Sequence, residues 1–359
     1  MAAFAGQLRQ NEIFAALFNM IISQEVFADN LGKHQTLVDK ARVDGGLYGD
    51  TKLYYSTDAL ASSEWGNDAE AAKLLQLHRP EAPKCQAIVL DIFRQIALTV
   101  DDYMSKRAFA EEGTFVSFNS VMMGWIKQTK RVYDGTTYNC FIGTAVADNT
   151  DNAAEVVNYE IDINEDGNSA GENIARAMAD LFTDMGDYTR KYNDYGQLRS
   201  YADEDIQVVW NSKYVNAIKK IDLPSIFHDE DLQNTFVGDV LPEKYFGEVN
   251  DAATAGNGTT VRSLVEQVIG EGANAHHYFA GELIKVGDTA PAGTSYTEDD
   301  KIIAKVLVKL PPYMSAFEVA TSFFNPKSLT ETHFLTFGHN TLELFKNYPF
   351  VTVKVKENE

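Results

Sequence analysis

Two neighbouring stretches decide the fold: QAIVLDIFRQIALTV (Gln86–Val100) and SKRAFAEEGTFVSFNSVMMGWIKQTKRVYDGTTYNCFIGTA (Ser105–Ala145). In the first, Ile88, Leu90, Ile92, Ile96, Leu98 and Val100 share one face, and only Arg94 breaks the alternation. Period two over this length predicts a long strand, or two collinear ones, with a buried face. In the second, Phe115, Phe118, Met122, Trp125, Ile126, Val132 and Tyr133 recur at helical spacing, and Thr114 is a suitable N-cap. Lys127, Lys130 and Arg131 fall in the expected last turns, where cations suit the negative end of the helix dipole, and Asp134-Gly135 is read as the stop. At about 1.5 Å per residue that helix is roughly 30 Å long, the length of a structural spine.

Upstream, Ile13, Leu17, Phe18, Ile21 and Ile22 outline an amphipathic N-terminal helix. A Gly-rich turn at Gly45–Gly49 leads into a Tyr- and Thr-rich strand, Thr51–Thr57. The small, polar segment Ala59–Asp68 then reads as the tip of an extended hairpin returning around Leu74–His78. Downstream, a second helix is expected over Gly171–Met185, with Ile174, Met178, Leu181, Phe182 and Met185 inward and Ser169 and Glu172 as a capping box. A buried strand, Ile206–Trp210, and a short helix through Tyr214 and Ile218 follow. From Val240 to Pro311 the chain is richer in Gly and Thr. It ends in Ile302–Leu310, where apolar residues alternate with Lys305 and Lys309 on the opposite face. The close comprises Ser315–Phe324, a turn at Pro326 and a strand with Val351, Val353 and Val355 on one side.

The 359 residues allow roughly two to three compact units or one elaborated fold. Apolar residues make up 45% and charged residues 23%, so a packed core is expected. No run of about 18 apolar residues offers a membrane span. Cys85 and Cys140 form no CxxC pair, which argues against a disulfide framework or a structural zinc. A net charge of −21 opposes tight or sequence-specific gripping of nucleic acid, which needs a basic surface.

Catalytic signatures are missing: the sequence holds no GxSxG, HExxH, Walker loop or GxGxxG. Asp162, Asn164 and Asp166, followed by Gly167, open like an EF-hand calcium loop, but the twelfth position is Asn173, with Glu172 one place early. A structural turn before the second helix is therefore the preferred reading. His276 and His277, adjacent on a strand, point to opposite faces and do not share an ion; His228 lies beside Asp229 and Glu230. No cofactor is expected.

The order of segments resembles that of major capsid proteins of tailed, in particular short-tailed, bacteriophages with the Hong Kong 97-like fold. Ser105–Ala145 is similar to the family's spine helix. GENIARAMADLFTDM (171–185) with DIQVVWNSKYVNAIKKI (205–221) is similar to its second helix and the strand entering the axial domain. HHYFAGELIKVGDTAPAGTSYTEDDKIIAKVLVK (276–309) and SAFEVATSFFNPKSLTETHFLTFGHNTLELFKNYPFVTVKV (315–355) are similar to its insertion and closing segments. Where many relatives carry Pro and Arg before the Ile206 strand, this chain has Gly196-Gln197-Leu198-Arg199.

The resemblance implies an α+β chain. Its expected divisions are an N-terminal arm (1–44), an extended hairpin loop (45–84), a peripheral domain with the spine helix (85–160), the second helix and axial domain (161–239), a β-rich insertion (240–311) and a closing axial part (312–359). It implies a structural protein, not an enzyme, synthesised in the bacterial cytoplasm. Its copies join as hexamers and pentamers into an icosahedral head around double-stranded DNA, with portal and decoration proteins as further partners. Covalent cross-linking through Lys52 is not expected. The arm begins almost directly after Met1, so a separate scaffolding protein is expected. Apolar residues of the arm and hairpin (Ile13, Leu17, Phe18, Tyr54, Tyr55 and Trp65) need partners, most naturally in neighbouring subunits. Readings of other kinds are an encapsulin-like nanocompartment shell and a calcium-dependent surface-binding module using the Asp162 loop.

Overall fold

The computed structural model describes residues 37–45, 51–62, 77, 79–101, 112–147, 158–163, 170–219, 238–251, 253–254 and 260–356. The chain forms two compact units. The first comprises Met1–Asp50, Leu90–Tyr138 and Tyr313–Thr341; the second comprises Thr51–Val89, Asn139–Pro312 and Leu342–Glu359.

In the first unit, the strand Tyr313–Asn325 turns through Pro326–Leu329 and pairs antiparallel with Thr330–Asn340. That strand pairs antiparallel with Leu90–Asp101, the second half of the long strand Lys84–Asp101. Arg42–Asp44 adds parallel to Tyr313–Ser315. From Cys85 to Val100 the even-numbered residues of the long strand are buried or half-buried and the odd-numbered ones exposed, as alternation requires. Arg94, the break in that pattern, sets its guanidinium 5.4 Å from the centroid of the Tyr133 ring.

The long helix runs Glu112–Thr144, 33 residues, straight through Asp134-Gly135. The expected stop is corrected for a tertiary reason. Asp134, 1% exposed, accepts the Tyr313 hydroxyl at 2.6 Å, Arg42 at 3.2 Å and Lys130 at 3.4 Å. A side chain satisfied in this way has no need to cap a helix end. Beyond it Tyr138, Cys140 and Ile142 are fully buried, so burial carries the helix onward. Lys130 accordingly lies mid-helix and buried, bridging Asp134 and Glu318 at 3.3 Å, and does not serve the dipole. Trp125, expected inward, is 42% exposed beside buried Ile126.

In the second unit a sheet has the strand order Asn158–Ile161, Phe350–Val355, Ile302–Leu307, Gln207–Asn211, Asp239–Leu241. Its inner pairs are antiparallel and its outer pairs parallel. The helix Ala170–Gly186 buries Ile174, Met178, Leu181, Phe182 and Met185 in one cluster with Val208, Trp210, Val306, Val351 and Val353. The helix Ser212–Lys219 follows the Gln207–Asn211 strand directly.

Ile302–Leu310 is the expected last strand of the β-rich insertion; the observed strand, Ile302–Leu307, is the middle of this sheet and buried throughout. Lys305 therefore does not face solvent. The smaller strands, among them Gly247–Asn250, Val261–Ser263 and Ser295–Glu298, surround a minor core of Val261, Ile269, Tyr278, Ile284 and Ala290.

Candidate assembly surface

The strand Thr51–Ser56 pairs antiparallel with Lys84–Val89, so the hairpin returns through the start of the long strand, directly after Pro83. The expected return at Leu74–His78 lies outside the described residues except for Leu77, which is in no strand. On this two-stranded ribbon the residues of one face are Lys52, Tyr54 and Ser56 opposite Ile88, Gln86 and Lys84. The other face carries Thr51, Leu53 and Tyr55 opposite Val89, Ala87 and Cys85.

The first face is held inside the subunit. Tyr54 packs edge-on against Phe345, ring centroids 4.9 Å apart, and burial raises its pKa. Gln86 donates to the Leu344 carbonyl at 2.9 Å and accepts the Lys346 amide at 3.1 Å. Ser56 donates to Gln197.

The base of the ribbon is closed by a polar knot. Asp58 accepts the amides of Ala59 at 2.8 Å and Leu198 at 2.9 Å, and pairs with Arg190 at 2.6 Å. Desolvation pushes the Asp58 carboxyl up, but these donors outweigh it and hold its pKa below the usual carboxylate value. Arg199 donates to the Thr57 carbonyl, to Ser56 Oγ at 3.2 Å and to Gln197 Oε1 at 3.0 Å. Gly196 turns the loop at φ 61°, and Asn193 clamps Gln197 through bonds of 2.8 Å in both directions. The Gly196–Arg199 segment is thus what grips the hairpin.

The second face is open: Leu53 is 51%, Tyr55 63% and Val89 48% exposed. Of the expected contact residues, Tyr55 is presented outward and Tyr54 is turned inward, while Ile13, Leu17, Phe18 and Trp65 lie outside the described residues. Leu53 and Val89 share the exposed face with Tyr55, and strand alternation alone requires that Tyr54 and Tyr55 cannot both face out. In the first unit the odd-numbered face of the sheet is also open. Phe93, Val319 and Phe323 are exposed there, and the hydrogen bonds Gln95–Thr336 (3.0 Å) and Thr99–Thr332 (2.9 Å) link its strands.

No cluster of three metal-ligating side chains occurs among the described residues. Asn164 and Asp166 are outside them, as is His228. Asn173 donates its amide to the Ile163 carbonyl at 3.2 Å. His276 meets Asp288 at 3.0 Å and His277 meets Glu266 at 2.7 Å, two separate partners. A cleft of about 300 Å³ beside Gln86 is lined by Phe141, Tyr192, Phe345 and Phe350, and its Asp194 pairs with Lys346 at 3.1 Å. Burial pushes the Cys140 thiol up to about 12, so it stays protonated and unreactive.

The sequence matches the Phi29-like phage major capsid protein family over residues 4–352. The chain belongs to that family. A chain of the capsid structure of Staphylococcus phage Andhra is similar at TM-score 0.60 and 10% identity, over 91% of this chain and 86% of that one. A chain from the structure of the head fiber and inner core protein of native bacteriophage P68 is similar at TM-score 0.57 and 10% identity, over 90% and 88%. At this identity the likeness bears on the fold, which is the α+β, Hong Kong 97-like fold of phage capsids. Comparison with curated proteins gives no match. This major capsid protein is a structural protein of a phage head, located in the virion and self-associating into the capsid lattice. Neither the nanocompartment reading nor the calcium-module reading has support from these matches.

Proposed function

We propose that the capsid protein joins its neighbours through the open face of the hairpin ribbon, as hexamers and pentamers of an icosahedral head enclosing double-stranded DNA. The observation that carries this is the row of exposed Leu53, Tyr55 and Val89 on a ribbon whose other face and base are tied to the same subunit. A preorganised apolar strip loses little freedom on binding. Covering the exposed half of each such side chain contributes about 1 kcal/mol, and a closed lattice multiplies modest contacts through effective concentration. The arm residues Ile13, Leu17 and Phe18 and the hairpin residue Trp65 are proposed to join the same contacts.

The reading includes no catalysis and no cofactor. It places synthesis in the host cytoplasm and includes a separate scaffolding protein, with portal and decoration proteins as further partners. Tight nucleic-acid binding is excluded from it because −21 charges repel phosphates. No described helix is long and apolar enough to cross a membrane.

The test is co-expression of the Leu53→Asp/Tyr55→Asp double variant with the neighbouring phage genes, followed by sedimentation and electron microscopy. The expected result is folded, unassembled protein with an unchanged circular dichroism spectrum. Shells of normal size and yield would overturn the proposed contact.

A further inference from the structure

The covered side of the sheet in the first unit holds a polar chain centred on His339, which is 2% exposed. Its Nδ1 lies 2.8 Å from the Asn340 carbonyl oxygen, which can only accept, so Nδ1 carries the proton. Nε2 then holds the lone pair, and the Tyr133 hydroxyl, 2.7 Å away on the long helix, donates to it. Tyr313 stacks on the imidazole, centroids 5.3 Å apart and planes at 19°, and its hydroxyl donates to Asp134. Asp134 in turn holds Lys130 and Arg42. The helix, two strands and the Arg42 segment are thus tied by two hydrogen-bonded sets joined through the Tyr313–His339 ring stack, and the Tyr133 donation to His339 requires a neutral imidazole.

We propose that His339 is an acid-sensitive latch between the long helix and the sheet: a proton taken up at Nε2 turns the acceptor for Tyr133 into a donor and ends the present tie. Tyr133 can keep contact only by turning its hydroxyl to accept, and that reversed bond leaves a charged imidazolium buried at the helix–sheet contact. The charged and titratable groups facing the latch come from every packed element. They are Lys130, Tyr133 and Asp134 from the helix, Asp91 and Arg94 from the long strand, Tyr313 and Glu318 from the adjoining strand, and Arg42 from the N-terminal side.

Burial lowers the His339 pKa; the Asn340 carbonyl and Asp134 oppose this, Arg94 adds to it, and Asp91 also opposes it. A depressed histidine is protonated more readily in the loosened or unfolded chain than in the packed one. The latch therefore contributes its full stability above the ordinary histidine value of about 6.5 and loses it as the pH falls.

The test uses the full, unassembled chain with ¹³Cε1-labelled histidine, titrated from about pH 7.5 to about pH 4.5 and followed by NMR and near-ultraviolet circular dichroism. The resonance lost in His339→Gln is expected to titrate below the ordinary value, together with a loss of tyrosine dichroism that His339→Gln abolishes. Tyr133→Phe, which removes the donor to the lone pair, is expected to move the titration to higher pH and keeps the question open to test if His339→Gln does not fold. A dichroism step that persists unchanged in His339→Gln, or a titration unmoved in Tyr133→Phe, overturns the latch.

Discussion

Lys305 Nζ donates to the carbonyl oxygen of Ala145, one residue past the end of the long helix, at 2.9 Å. A second bond of 2.9 Å reaches Thr352 Oγ1, and the side chain is 1% exposed. Burial, with repulsion from Lys354 added, pushes the ammonium down to about 7, against the pull of Asp299 and Glu248. In the unfolded chain the same lysine keeps its proton up to about 10.4. Between those values the unfolded state binds more protons, so stability rises with pH across this window. Lys305→Met removes the buried charge and is expected to flatten that rise. Urea midpoints of the unassembled protein at about pH 7, 8 and 9 check it; a parallel rise in the variant contradicts the assignment.

Asp58→Ala removes the acceptor for two amides and for Arg190 at the ribbon base. The site is partly exposed, so the expected loss is modest, about 1–2 kcal/mol. Its folded pKa is lowered, so the contribution is present above the unfolded carboxylate value and lost as pH falls through the folded one. Arg199→Ala should act on the same element, and the double variant should cost less than the two single losses combined. Hydrogen exchange over residues 51–58 and 84–89 is the measurement; unchanged protection in both variants excludes the knot as the anchor.

Much of the architecture was legible because it follows from period and caps. The long strand shows one apolar face broken only at Arg94 and the Ala170–Gly186 helix a continuous one, and both lie where that pattern puts them. What was not legible depended on partners distant in sequence. Asp134-Gly135 has the chemistry of a helix stop, but Tyr313, 179 residues away, satisfies the carboxylate. Lys305 alternates as a solvent-facing residue should, yet its strand is covered on both sides. The Thr330–Asn340 strand is less legible, because adjacent Phe334 and Leu335 fall on opposite faces and blur its alternation. On the open face of the ribbon, Tyr55 is legible from aromatic content and Leu53 from strand alternation, whereas placing Val89 beside them needs the cross-strand register.

Two glycines of the long helix should respond in opposite directions to the same substitution. A Cβ on Gly143 would lie 2.1 Å from the Tyr245 carbonyl oxygen, which is backbone and cannot swing away. A Cβ on Gly124 meets nothing within 4 Å. Gly143→Ala is therefore expected to destabilise by about 3 kcal/mol or more through overpacking, and Gly124→Ala to stabilise by up to about 1 kcal/mol through helix propensity. Thermal melts of the unassembled chain separate the two, and equal shifts in one direction would refute the close approach.

Asn173 occupies the place where a calcium loop would need a bidentate carboxylate, and it spends its amide on the Ile163 carbonyl. Asn173 is buried and the bond is partly so, and it ties the Ile163 carbonyl to the first turns of the Ala170–Gly186 helix. Asn173→Ala leaves that carbonyl without this donor and is expected to cost about 1–3 kcal/mol. If the turn is structural, the loss has the same size in excess calcium and in excess chelator, and the unsubstituted protein melts at one temperature in both. A melting temperature that rises with calcium, and a variant that abolishes the rise, would instead assign the Asp162 loop to a cation, since a ligand that binds only the folded chain must stabilise it in proportion to its affinity.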